Sequence, residues 1–215
     1  MVKRFIFIPV VNHFDLLEKA VNSVPSGLFD EYFIVNNSKQ DIPFDIKHFK
    51  IFDCNIPLSF RDTQNNMRKY AIDNNYDYYC FMHNDGCLLN DMAKNLVEYA
   101  DKNLKDWGII FTLYDVFCAF STTCVKEVGE WGDELWPLQK SGYYLDCDYY
   151  RRIKLLNYKV AELGSENVIH EHSNTLKEND ELRVWQTQMV DVIFHYAKKW
   201  GGTPNHEIYT TPFNL

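Results

Sequence analysis

A hydrophobic run, Tyr78-Tyr79-Cys80-Phe81-Met82, leads straight into the polar turn His83-Asn84-Asp85-Gly86. A strand that stops at a carboxylate is a place to hold a divalent cation and a phosphorylated ligand. Downstream stand a second acidic cluster, Asp146-Cys147-Asp148, and two histidines, His170 and His172. Together these residues can do two jobs. A hard cation on Asp85, helped by a histidine, neutralises a diphosphate leaving group. A carboxylate on the other side accepts a proton from an attacking hydroxyl.

Such residues need a frame. Phe5 to Val11 is a continuous apolar run, the mark of a strand buried on both faces of a parallel sheet. Leu16, Leu17, Ala20 and Val21 follow at helical spacing, and Pro25 and Gly27 end that helix. Residues 31–35, 49–52 and 78–82 read as strands, with helices over 59–74 and, capped by Asn90 or Asp91, up to Tyr99. The alternation predicts an α/β fold with a mostly parallel central sheet flanked by helices. Its ligand site belongs at the carboxyl ends of the strands, at 9–12, 36–38 and 83–85. Further on, 107–113 and 116–121 read as strands and 123–128 as a short helix. The acidic cluster precedes a helix over 149–156, short strands follow at 159–163 and 167–170, and a long helix runs over 182–200. Gly201-Gly202-Thr203-Pro204 breaks that last helix. With no repeat and no low-complexity linker, the chain reads as one domain over 1–195 and a tail, 196–215, that packs on it.

The 215 residues are 46% hydrophobic, enough for a sizeable core. A net charge of −8 argues against broad binding of nucleic acid or anionic membranes. Six cysteines without a Cys-x-x-Cys pair read as reduced core thiols, and no apolar run is long enough for a signal peptide or a membrane span, so a cytoplasmic location is expected. Walker A, Gly-x-Gly-x-x-Gly, Gly-x-Ser-x-Gly and His-Glu-x-x-His motifs are all missing.

Over residues 4 to 175 the order of motifs resembles the family 2 glycosyltransferases of the GT-A fold, in their small single-domain bacterial or viral form. Phe7-Ile8-Pro9-Val10-Val11-Asn12 is similar to that family's first strand and nucleotide-facing turn. Ile34-Val35-Asn36-Asn37-Ser38 resembles its second-strand motif, with Asn36 in place of the acid that helps hold uracil. Asn65-Asn66-Met67 resembles its asparagine-bearing helix, and His83-Asn84-Asp85 stands for Asp-x-Asp with the last acid kept. Val125 to Trp131 resembles the segment before the acceptor region. Leu145-Asp146-Cys147-Asp148 and Arg152 resemble Glu-Asp-x-Asp-x-x-x-Arg, and Val168-Ile169-His170 resembles a late metal-binding histidine.

The resemblance implies a metal-dependent, inverting transferase that uses a nucleotide-diphospho sugar, a UDP-sugar above all. It implies Asp146 as the catalytic base, and Pro9, Val11, Asn36, Arg61, Asn65, Asn84 and Asp85 around the nucleotide. Asp85 and His170 would hold Mn²⁺ or Mg²⁺, with Asp148, Arg152 and His172 in support. The acceptor hydroxyl is expected on a glycan. Hydroxymethylated bases of phage DNA are an alternative that the net charge and the six arginines disfavour. The replaced acids at 36, 83 and 145 motivate a rival, a non-catalytic sugar-nucleotide or glycan-binding module on the same scaffold.

Overall fold

The computed structural model describes residues 1–134, 136, 142–171 and 181–215, with only the helical backbone given for 181–188. Seven strands form the main sheet: β1 (Arg4–Val10), β2 (Glu31–Asn36), β3 (Lys50–Asp53), β4 (Tyr78–Met82), β6 (Trp107–Thr112), β7 (Tyr114–Ser121) and β8 (Lys159–Glu162). Their order is β3-β2-β1-β4-β7-β6-β8, and only β7 runs against the rest. A two-stranded sheet pairs β5 (Gly86–Leu88) with β9 (Val168–His170). The helices are α1 (Phe14–Ser23), α2 (Phe60–Asp73), α3 (Met92–Lys102), α4 (Thr122–Val128), α5 (Leu145–Leu155) and α6 (Glu181–Trp200).

The two faces of the sheet bury different chemistry, and residue parity along β1 shows why. Successive side chains point to opposite faces. Ile6, Ile8 and Val10 join an aliphatic core with Leu17, Val21, Leu96 and Val97 from α1 and α3. Phe5 and Phe7 join an aromatic core with Phe33, Tyr79, Trp131 and Tyr149. Trp131 and Tyr149 stack at 4.0 Å between ring centroids. Both faces are covered, so the apolar runs are continuous rather than alternating.

Local signals set the element ends. The Ser59 hydroxyl accepts from the Asp62 N–H at 3.1 Å and donates to its carboxylate at 2.7 Å, which starts α2. Gly129, at φ 87°, ends α4. Asp91 holds the N-cap position of α3, as expected, but makes no side-chain cap bond, and Asn90 donates to the Asn167 side chain at 2.6 Å. One expectation is corrected. The helix after the acidic cluster begins at Leu145 rather than near Tyr149, because Tyr144 turns the chain in a left-handed conformation. Asp146 and Asp148 therefore lie in its first turn.

Candidate active site

Parallel strands that end at one edge leave their following residues side by side. Asp53, Asn36, Val10 and Met82 close β3, β2, β1 and β4 along that edge. The antiparallel β7 starts there instead of ending there. Its register with β4 pairs Met82 with Phe117, which sets Asp115 beside His83, with His83 Nε2 3.7 Å from the Asp115 carboxylate. A tight hairpin with Tyr114 at φ 49° makes this reversal.

The small sheet supplies the distant histidine. Gly86 pairs with His170, and the Glu171 N–H donates to the Asp85 carbonyl at 3.0 Å. His170 Nε2 then lies 3.3 Å from Asp85 Oδ1, and His83 Nδ1 lies 3.8 Å from the same oxygen. Gly86 is needed at this crossing: a Cβ there would stand 2.8 Å from Val116 Cγ1. One donor atom each from His83, Asp85 and His170 fall within 4.8 Å of one another. His83 Nε2 is buried without a hydrogen-bond partner among the described residues. Two imidazoles and a carboxylate around such an orphaned nitrogen fit a divalent cation. Burial alone would raise the Asp85 pKa. The hydrogen bond with His170 and the charges of His83 and His170 outweigh it and hold the carboxyl below its usual range.

Asp85 and Asp146 line one open cavity of about 420 Å³, together with His83, Asn84, Asp115 and His170. Asp146 is held differently from Asp85. Burial first, and then the negative charge of Asp115, push its carboxyl up to about 7. Its Oδ1 accepts from the Cys147 N–H at 2.7 Å, and the Tyr150 hydroxyl fixes Asp115 at 2.9 Å.

The structure gathers some expected residues and sets others apart. Asn84 lines the cavity and donates to the Asn12 carbonyl at 3.1 Å, while the Asn12 side-chain oxygen is buried without a partner among the described residues. Val11 stands exposed past β1, and Pro9 is half-buried within it. Arg61 Nε donates to the Trp131 carbonyl at 3.0 Å, and Asn65 brackets the same backbone, accepting at 2.8 Å and donating at 3.2 Å. These two side chains tie α2 to the segment after α4. Asp148 is fully buried and accepts from Arg152 (3.0 Å), Lys199 (2.7 Å) and Trp200 (2.9 Å). Arg152 also donates to the carbonyls of Val128 and Glu130. Both residues thus join α5 to α4 and α6, behind the cavity. His172 lies outside the described residues. Asp115 is the site residue that the sequence reading passed over. Its signal was a lone acid in the short link between two strands, at the edge where the other carboxylates gather.

The chain has a GT-A-type fold, shared with several solved structures. It is similar to S. aureus TarS 1–349 in complex with UDP-GlcNAc (TM-score 0.57, 12% identity, 89% of this chain and 67% of that one). It is similar to S. aureus TarS (TM-score 0.59, 12% identity, 91% and 43%). A third likeness is to glucosyl-3-phosphoglycerate synthase from Mycobacterium tuberculosis in complex with Mn²⁺, UDP and phosphoglyceric acid (TM-score 0.63, 10% identity, 91% and 78%). This chain spans 58% of the length of another TarS 1–349 structure and under half of TarS itself. No described family and no curated protein matches the sequence. Among the described residues no helix is long and apolar enough to cross a membrane.

Proposed function

We propose that this chain is an inverting glycosyltransferase that moves a sugar from a UDP-sugar to an acceptor hydroxyl, on a glycan. One observation carries the reading. A cation-fitting trio, His83, Asp85 and His170, and a carboxylate with a pKa near 7, Asp146, face the same cavity. Structural neighbours bound to UDP-GlcNAc, or to UDP with Mn²⁺, support the choice of donor.

His83, Asp85 and His170 would hold the metal. The imidazoles in that donor set favour Mn²⁺ over Mg²⁺, which prefers oxygen ligands. When bound, a divalent cation there supplies positive charge to the diphosphate leaving group. Asn84 lines the same cavity and offers hydrogen bonds to the nucleotide. Asp146 takes the proton of the acceptor hydroxyl. The freed oxygen attacks the anomeric carbon as the bond to the nucleoside diphosphate breaks. A base with a pKa near 7 is half-ionised at neutral pH and still basic enough to accept that proton. Asp115 and Tyr150 position and tune this base. We assign the whole of 1–195 to one catalytic unit, with 196–215 packed against it, working in the cytoplasm with its six free thiols reduced.

Thermal-shift screening against UDP, UDP-sugars and other nucleotide sugars, each with and without Mn²⁺, tests donor and metal together. The expected result is a Mn²⁺-dependent rise in Tm with UDP. No shift with any nucleotide would overturn the reading. Binding without UDP release, across a panel of donors and acceptors, would replace the enzyme with a binding module.

A further inference from the structure

The carboxyl edge holds one more acid that this chemistry leaves unused. Asp53 ends β3, and its cross-strand register partner is Asn36. The amide of Asn36 is saturated within the protein. Its nitrogen donates to the Gln40 carbonyl and to Asp53 Oδ1, both at 2.9 Å. Its oxygen accepts from the Ser38 N–H at 3.1 Å and the Ser38 hydroxyl at 2.5 Å. A carboxamide has two N–H groups and two lone pairs, so buried Asn36 has nothing left for a ligand. Asp53 is exposed, and among the described residues only its Oδ1 is engaged.

Position along the edge says what the free oxygen meets. Three inter-strand steps of about 4.8 Å separate β3 from β4, which sets Asp53 about 14 Å from the strand end that carries Asp85. The far side of β4 is taken by β7 and by Asp146, the acceptor's side. A nucleoside whose diphosphate rests at Asp85 therefore extends across β1 and β2 towards β3. Two apolar side chains stand exposed on this path, Val11 past β1 and Ile56 past β3, and a flat base covers such surface.

We infer that Asp53 selects the donor's base, accepting on its free carboxylate oxygen the ring N–H that uracil and guanine present. Cytosine and adenine offer a ring-nitrogen lone pair at that edge, and a carboxylate repels it. This inference rests on the nucleotide-sugar reading above. A site built to accept an N–H leaves its acceptor unpaired against a base that lacks one, and this is a strong source of discrimination.

The test is binding of UDP, GDP, CDP and ADP with Mn²⁺ by calorimetry, to the wild-type protein and to Asp53→Asn. The asparagine oxygen can still accept from Asn36, so the loop keeps its bond, and Tm without nucleotide should not move. The expected result is a preference of about tenfold or more for UDP or GDP over CDP and ADP. In Asp53→Asn that preference should fall to within about threefold. An unchanged preference in the variant, an equal loss for all four nucleotides, or a wild-type protein that binds all four alike overturns the role of Asp53 while the nucleotide reading stands. A wild-type protein that binds none of them overturns both.

Discussion

The end of β4 and the start of α5 each bring a carboxylate to the same cavity, and the surroundings drive the two acidities apart. Asp85 sits between two imidazoles and is held ionised. Asp146 sits against another acid and is held near 7. The difference does not come from depth alone, since burial disfavours both anions. It comes from what the neighbouring strand presents. His170, delivered by β9, lowers one pKa, and Asp115, delivered by the reversed β7, raises the other. Two environments of opposite sign give one carboxyl held as an anion and one that can take up a proton near neutral pH.

Four substitutions test this contrast. The largest expected effect is on turnover. Asp146→Asn should lower transfer about 10²–10⁴-fold and leave UDP binding intact, read by UDP release and calorimetry. Its stability should move the other way. The folded-state pKa of about 7 lies above the ordinary 3.8, so the carboxyl's protonated form favours folding, and stability falls as pH rises from about 4 to 7. The variant should therefore melt higher than wild type at pH 8, and the gain should vanish near pH 4. Asp148→Ala tests whether two acids on one helical turn do separate work. Removing one partner of a buried ion pair costs about 3–5 kcal/mol, so Tm should drop by roughly 2–4 °C per kcal/mol in a chain of this size. Asp85→Asn should weaken Mn²⁺-dependent UDP binding about tenfold or more, and should also lower the ligand-free Tm at neutral pH, because the depressed pKa means the ionised carboxyl stabilises the fold. The smallest effect should come from Asp115→Asn. With one negative charge gone, Asp146 ionises more easily, so the acid limb of kcat/KM should move from near pH 7 to lower pH. A limb that stays in place would detach Asp115 from the base.

The first half of the fold was legible because its strands are buried on both faces and its helices are amphipathic. The Tyr78–Met82 strand and the span of α2 follow directly from that periodicity. The polar ends of those strands pointed to the cavity for the same reason. What escaped was short or set from afar. Gly86–Leu88 is a three-residue strand that exists through its pairing with 168–170, and no local pattern marks it. Asp115 gains its place from the direction of β7, which a single sequence does not specify. Asn36, Arg61 and Asn65 sit where the resemblance expects ligand contacts, yet their side chains are engaged by Asp53, Ser38 and Trp131. The spacing of residues shows who could reach a ligand; only the hydrogen bonds show who is already occupied.

The clamp on Asp148 bears on the order in which the chain can fold. Trp200, one of its partners, lies 52 residues further along the chain, and Lys199 stands next to it. A ribosome releases the chain from its N-terminus, so the seven strands and the first turn of α5 emerge before either partner does. Until they arrive, the carboxylate behind the cavity faces a choice between water and an incomplete set of bonds, and a buried acid resolves that choice by staying open. The turn that carries Asp146 is therefore locked late in synthesis. Asp146 takes its final place only when Lys199 and Trp200, at the end of α6, have docked against Asp148.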